Sequence, residues 1–237
     1  MRVWDIHPGY LSRQSLLGQH AEIHAIYNII KENKKGYSFH PETLRWKGRL
    51  ARLKYRHDLT VMEMGLRSLG HRSPMNEEKT CPNLSGFVYI DQPAEQFAIL
   101  EKKYASLPLA GRIPLAGRGS DFFSHHKYSI MVRGLKRYNE ILSFLGEKED
   151  LPISQEGDLI QRVLAILEAP VDKLVLPELT NRLWSYVKNQ ADSDEQNFYE
   201  MNCEKDAHSL LNFMFSLAVK YNETCLLHST VFADLLQ

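Results

Sequence analysis

The stretch Leu16–Lys31 constrains the fold more than any other part of the sequence. Leu16, Ile23, Ile26 and Ile30 recur at intervals of three, four and seven residues, the period of an α-helix, with Gln14 or Ser15 near the start. Apolar residues lie nearly all round the wheel, so this helix is expected at the centre of a core. A second helical pattern runs from about Glu42 to Leu69, with Gly70 as its stop, and a third from about Asp121 to Leu145. Shorter ones are expected at Ala94–Tyr104, Asp158–Ala169, Leu176–Asn189 and Asp206–Tyr221, with a last one towards the C-terminus. Residues 72–92 and 106–120, rich in Pro, Gly, Ser and Asn, read as loops, and GFVYI at 86–90 is the only β-like run. No repeat and no low-complexity segment interrupts the pattern. The reading is all-α, with a helical N-terminal domain at 1–118 and a helical C-terminal domain at 119–237.

Nothing in the composition demands staples. Of 237 residues, 43% are apolar, enough for a conventional core. Cys81, Cys203 and Cys225 form no CxxC pair and leave an odd one over, which argues against a disulfide framework or a Cys-based zinc site and for a reducing, cytoplasmic setting. No apolar run approaches the roughly 18 residues that a membrane span requires, and the N-terminus has no signal-peptide core, so no membrane partner is expected.

The net charge of zero conceals a division. Residues 1–140 carry 22 Lys+Arg against 13 Asp+Glu, and residues 141–237 carry 7 against 16. A positive excess of nine in the first part favours a polyanion through counterion release. Four arginines, Arg45, Arg49, Arg52 and Arg56, fall at i, i+4, i+7 and i+11 of the second helical pattern, beside an apolar stripe of Trp46, Leu50, Leu53, Val61 and Met64. No acid lies between Glu42 and Asp58, so this stripe is read as a phosphate-binding face. Attraction between the two oppositely charged parts is the alternative.

Few side chains offer chemistry. Glu22 is the one carboxylate between Ile6 and Lys31, and its wheel neighbours Ile26 and Ile29 are apolar, a setting suited to general acid–base work. His20 and His24 have the spacing of two metal ligands, but the pattern is HxExH rather than HExxH and further ligands are not evident, so neither a metal nor a cofactor is expected. His125-His126 reads as packing or phosphate contact. P-loop and GxSxG signatures do not occur.

Together these segments resemble the pyrimidine-dimer DNA glycosylases. MRVWDIHPGYL, SLLGQHAEIH, KKGYSFHPETLRW and LTVMEMGLRSLGH carry the likeness over about residues 1–75. The resemblance implies an all-helical, glycosylase-like N-terminal domain acting on damaged double-stranded DNA. It also implies that a chain-terminal α-amine attacks C1′ of the lesion, forming a Schiff base that resolves by β-elimination, with a glutamate assisting. By register the amine falls on Met1, which Arg2 protects from ordinary trimming, and the glutamate on Glu22. α-Amines are neutral at pH 7 far more often than lysine side chains, so they suit the role. Two arginines that flank the family's glutamate correspond to Ala21 and Ala25 here, so DNA contacts would pass to Arg2, Arg13, Lys47 and the stripe of Arg45, Arg49, Arg52 and Arg56. A non-catalytic DNA-binding or adaptor protein on the same scaffold remains the alternative. Residues 119–237 more weakly resemble YbgA-like domains, whose acidic surface leaves a protein partner open.

Overall fold

In the computed structural model, residues 1–76, 87–106, 111–203 and 207–236 are described, and every regular element among them is helical. The only β-type pairing among these residues is an isolated bridge between Arg118 and Pro152. Phe87–Ile90, from the β-like run, form no strand, and Gly86 of that run lies outside the described residues. No described helix is long and apolar enough to cross a membrane. The residues group into two compact units, 1–115 and 116–236.

Unit 1 contains α1 (Arg13–Lys31), α2 (Pro41–Trp46), α3 (Leu50–Leu66) and α4 (Pro93–Tyr104). Helix α1 starts where the Ser12 hydroxyl accepts the Ser15 amide. Helix α2 starts at His40-Pro41, where the His40 ring accepts the Glu42 amide and Pro41 occupies a position that needs no amide hydrogen. The continuous helix expected over 42–69 is two helices. Its interruption lies at Lys47-Gly48-Arg49, where Gly48 takes φ of 72°, a left-handed conformation that breaks the hydrogen-bond ladder. The helix expected over 121–145 is likewise divided, at Gly134 with φ of 127°.

Val3, Ile23, Ile26, Trp46, Leu53 and Met75 form a buried cluster, with Met1, Tyr27, Ile30, Leu50 and Phe87 packed against it. The N-terminal segment is therefore part of the core. Residues 3–12 are buried although only Pro8–Tyr10 form a helical turn. Their polar groups find partners elsewhere. Arg45 donates to the Val3 carbonyl at 2.6 Å and to both carboxylate oxygens of Asp5 at 3.0 and 2.9 Å. Arg56 donates to the carbonyls of Asp5 and Ile6, and Arg67 to those of Pro8, Gly9 and Leu11. Gln19 accepts the Trp4 amide, and Gln96 both accepts the Asp5 amide and donates to its carboxylate.

Unit 2 contains α5 (Gly119–Met131), α6 (Leu135–Gly146), α7 (Gly157–Leu167), α8 (Leu176–Val187), α9 (Ser193–Asn202), α10 (Ala207–Lys220) and two short helices, α11 (Thr224–Leu227) and α12 (Val231–Leu235). Leu159, Val163, Leu179, Leu183, Leu210, Met214 and Phe232 fill its interior. Helix α9 lies outside the helices expected from apolar spacing. It is closed by a reciprocal cap between Asp192 and Glu195, and Tyr199 stacks on Trp184 with ring centroids 4.3 Å apart. His126 is fully buried with its ring against the Thr230 hydroxyl, so it is a packing residue.

Removing Arg45 would leave Asp5 and Glu42 as buried, uncompensated carboxylates. Arg45→Met is expected to destabilise the chain by about 3–5 kcal/mol, measured by chemical denaturation. A loss below about 1 kcal/mol would show that the N-terminal segment does not depend on this guanidinium.

Candidate functional site

The expected arginine stripe does not survive the break at Gly48 as one exposed face. Arg45 is only 7% exposed and is held by Asp5, Glu42 and the Val3 carbonyl. Arg56 is turned onto the backbone of Asp5 and Ile6, where burial pulls its guanidinium below the usual value against the opposing charge of Asp5. These two, expected to contact phosphate, instead brace the start of the chain. The reason is stoichiometric: an irregular buried segment exposes carbonyls that a helix would have satisfied internally, and guanidinium supplies several donors at once. Arg49 and Arg52 are half-exposed, and the Arg52 guanidinium lies 3.6 Å from the centroid of the Phe87 ring.

The bracing leaves Met1 half-buried at the end of a fixed segment, packed on the cluster that includes Ile23 and Ile26 of α1. Glu22 precedes Ile23 on the same helix and is also half-buried. At 100° per residue it lies on the flank of the face that carries Gln19 and Ile26, and Gln19 holds the Trp4 amide at 2.8 Å. The first residues are thus packed against α1, the helix that carries Glu22. Arg2 pairs with Asp91 at 2.7 Å and sits over the Trp4 ring.

Arg13 and Lys47 are exposed. From the last residue of α1 to the start of α2 the chain also exposes Lys31, Lys34, Lys35, Tyr37 and Phe39, with Tyr37 at 71% and Phe39 at 84%. The Lys47 ammonium lies 5.8 Å from the centre of the Phe39 ring. Two exposed aromatic rings thus stand among these lysines, of which Lys34 pairs with Glu32 at 2.8 Å. The sequence shows this segment only as part of KKGYSFHPETLRW and does not disclose that its rings are exposed, because exposure is set by tertiary packing.

A second group of side chains occupies the opposite side of α1. His20 and His24 are joined by His57 of α3 and by His71 from the segment after it, and one ligand atom from each lies within 4.8 Å of all the others. Two further imidazoles that sequence spacing did not reveal therefore complete a four-histidine cluster. They were invisible because they come from a different helix and a loop. Burial and the neighbouring imidazoles of His24, His57 and His71 push the His20 ring down to about 4. His24 is lowered too, by burial first and by His57 and His71, against an opposing hydrogen bond to Ser73.

A family model described as pyrimidine dimer DNA glycosylase matches residues 1–77. No curated protein and no solved structure matches the chain. The matched segment contains Met1, Glu22, the bracing arginines Arg45, Arg56 and Arg67, and all four clustered histidines. Residues 1–77 of this chain are thus similar to the pyrimidine dimer DNA glycosylases.

Proposed function

We propose that the N-terminal unit is a DNA glycosylase with lyase activity on damaged double-stranded DNA, its nucleophile the α-amine of Met1 and its acid–base group Glu22. The observation that carries this reading is the fixed N-terminal segment. From Val3 onward the backbone is held by Arg45, Arg56, Gln19 and Gln96, while Met1 is half-buried against the apolar cluster to which Ile23 and Ile26 of α1 belong, and Glu22 is half-buried on that same helix. A terminal amine on a loose tail would have to lose that freedom in the transition state, whereas a tethered one has already lost it.

In this scheme the neutral amine attacks C1′ and the glycosidic bond breaks, the damaged base leaving with the bonding pair and taking up the proton that the nitrogen sheds; the nitrogen lone pair then expels O4′, which is protonated as the sugar ring opens, and C1′ is left joined to nitrogen as a protonated Schiff base. Glu22 then takes the C2′ proton, and the C3′–O bond breaks with departure of the 3′ phosphate. Arg13 and Lys47, with Lys31, Lys34 and Lys35, supply phosphate contacts. Phe39 and Tyr37 offer rings that can stack on or wedge between bases where the duplex is already weakened by a lesion.

Three outcomes are expected. Borohydride added to the protein with DNA containing an abasic site traps a covalent adduct mapping to residue 1, and acetylating or extending the N-terminus abolishes it while DNA binding persists. Equal trapping by the blocked protein would move the nucleophile to a lysine such as Lys47, and no trapping by either form would favour a non-catalytic DNA-binding role.

Glu22→Gln keeps the shape of the side chain and removes its proton-accepting charge. Strand cleavage should fall by about 100-fold or more, the usual contribution of a positioned acid–base group, with circular dichroism and DNA affinity little changed. Cleavage at the wild-type rate would reduce Glu22 to a helix-surface residue.

Affinity for duplex DNA should fall steeply with salt, and the double change Arg13→Glu with Lys47→Glu should flatten that slope equally for damaged and intact DNA. Phe39→Ala should instead weaken binding to damaged DNA in particular. A salt-independent affinity would remove the phosphate-binding surface from the proposal.

A further inference from the structure

We propose that His20, His24, His57 and His71 form a closed binding site for one divalent transition-metal ion of the zinc type, which ties α1 to α3 and to the segment that follows it. The four ligand atoms converge from three separate pieces of chain to within 4.8 Å of one another. Tetrahedral zinc with Zn–N bonds of 2.0–2.1 Å separates its ligand nitrogens by about 3.3 Å. The Nε2 atoms of His20 and His24 already stand 3.3 Å apart. The widest pair must close by about 1.5 Å, within reach of modest side-chain rotations.

The outer contacts fit the same reading. A metal-bound imidazole characteristically donates its second ring N–H to a carboxylate or a backbone carbonyl, which fixes the ring and leaves a lone pair on the other nitrogen. His57 Nδ1 lies 3.0 Å from the Asp58 carboxylate, and His71 Nε2 lies 2.8 Å from the Ser73 carbonyl. With Nδ1 so engaged, His57 presents Nε2, which is buried and has no hydrogen-bond partner among the described residues. Ring centroids place His57 5.3, 4.9 and 5.2 Å from His20, His24 and His71. A buried nitrogen lone pair facing three other imidazoles, in a residue only 2% exposed, is costly unless something accepts it. Hydrogen bonding among the rings can satisfy His20 and His24 but does not reach that atom.

Imidazole donors suit zinc, copper, nickel and iron, and four of them in a tetrahedral setting favour zinc. Four protein ligands leave no open position for water or substrate, so the ion is structural. The site stands independently of the lyase scheme. Glu22 is two residues from both His20 and His24 on the helix and therefore lies about 200° away from each.

The full chain, stripped with a chelator and dialysed against zinc, should retain one ion per molecule by elemental analysis, and zinc should raise its Tm by several degrees. Cobalt should give the visible absorption of tetrahedral Co(II). His71→Gln and His20→Asn, both at half-buried positions, should lower zinc affinity by at least about 100-fold and lose the Tm shift. Asp58→Asn, which touches no metal, should cost about 10–100-fold through His57. Retention well below one ion per chain, or equal retention by wild type and both histidine variants, would overturn the site. Because these measurements contain no DNA, their failure leaves the lyase reading standing, and a failure of borohydride trapping leaves the metal site standing.

Discussion

Arg45, Arg56 and Arg67 hold the N-terminal unit together by serving a segment that serves itself only in part, through the Tyr10 and Leu11 amides on the His7 and Pro8 carbonyls. Residues 3–12 are buried but largely irregular, and each buried carbonyl left without a donor would cost about 1–3 kcal/mol. The three guanidinium groups together reach the carbonyls of Val3, Asp5, Ile6, Pro8, Gly9 and Leu11. A lysine at any of these positions would offer a point charge without the planar fork that lets one side chain bridge two acceptors. The buried cations are matched in turn: Arg45 by Asp5 and Glu42, and Arg67 by Glu63, which also holds Arg112. Segment, helices and acids thus form one network, and the position of the chain's first residue follows from it.

That network explains where sequence reasoning succeeded and where it failed. The all-helical class and the position of α1 follow from apolar spacing, because burial acts on one face of a helix and leaves its period in the sequence. The same apolar phase carries through Gly48, so the break between α2 and α3 leaves no mark in it; only the glycine itself signals it. The four-arginine stripe was correctly seen as a concentration of positive charge, but charge does not disclose its partner. Arg45 and Arg56 face carbonyls of the segment around Asp5, some forty to fifty residues earlier in the chain, and no local pattern encodes that contact. Helix α9 was missed for a related reason. Its one buried residue is Tyr199, so it shows no apolar stripe and is fixed by the ring stack on Trp184 and by its cap.

The candidate site was legible to the same uneven degree. Met1 and Glu22 could be named only through register with a family, since neither belongs to a local motif. What the structure adds is that the residues between them are not a flexible arm. His20 and His24 could be seen as a ligand-like pair, yet their completion by His57 and His71 depends on how α3 crosses α1.

Helix α1 is the element on which both proposals meet, and its two sides carry different demands. One side receives the chain start through Gln19, Ile23 and Ile26, and the other presents His20 and His24 to His57 and His71. A Schiff-base nucleophile is sensitive to displacements of about 1 Å, so the helix that positions it must not shift along its neighbours. Apolar packing of Ile23 and Ile26 against Leu53 resists separation of α1 and α3 but is weakly directional, and sliding by a fraction of a turn exchanges similar contacts. Four imidazoles from three pieces of chain, once joined by an ion, would fix the register as well as the distance, because coordination geometry tolerates only a few tenths of an ångström. A closed metal centre on the back of α1 would therefore bear on chemistry at its front through position alone, with the ion neither touching substrate nor accepting a proton.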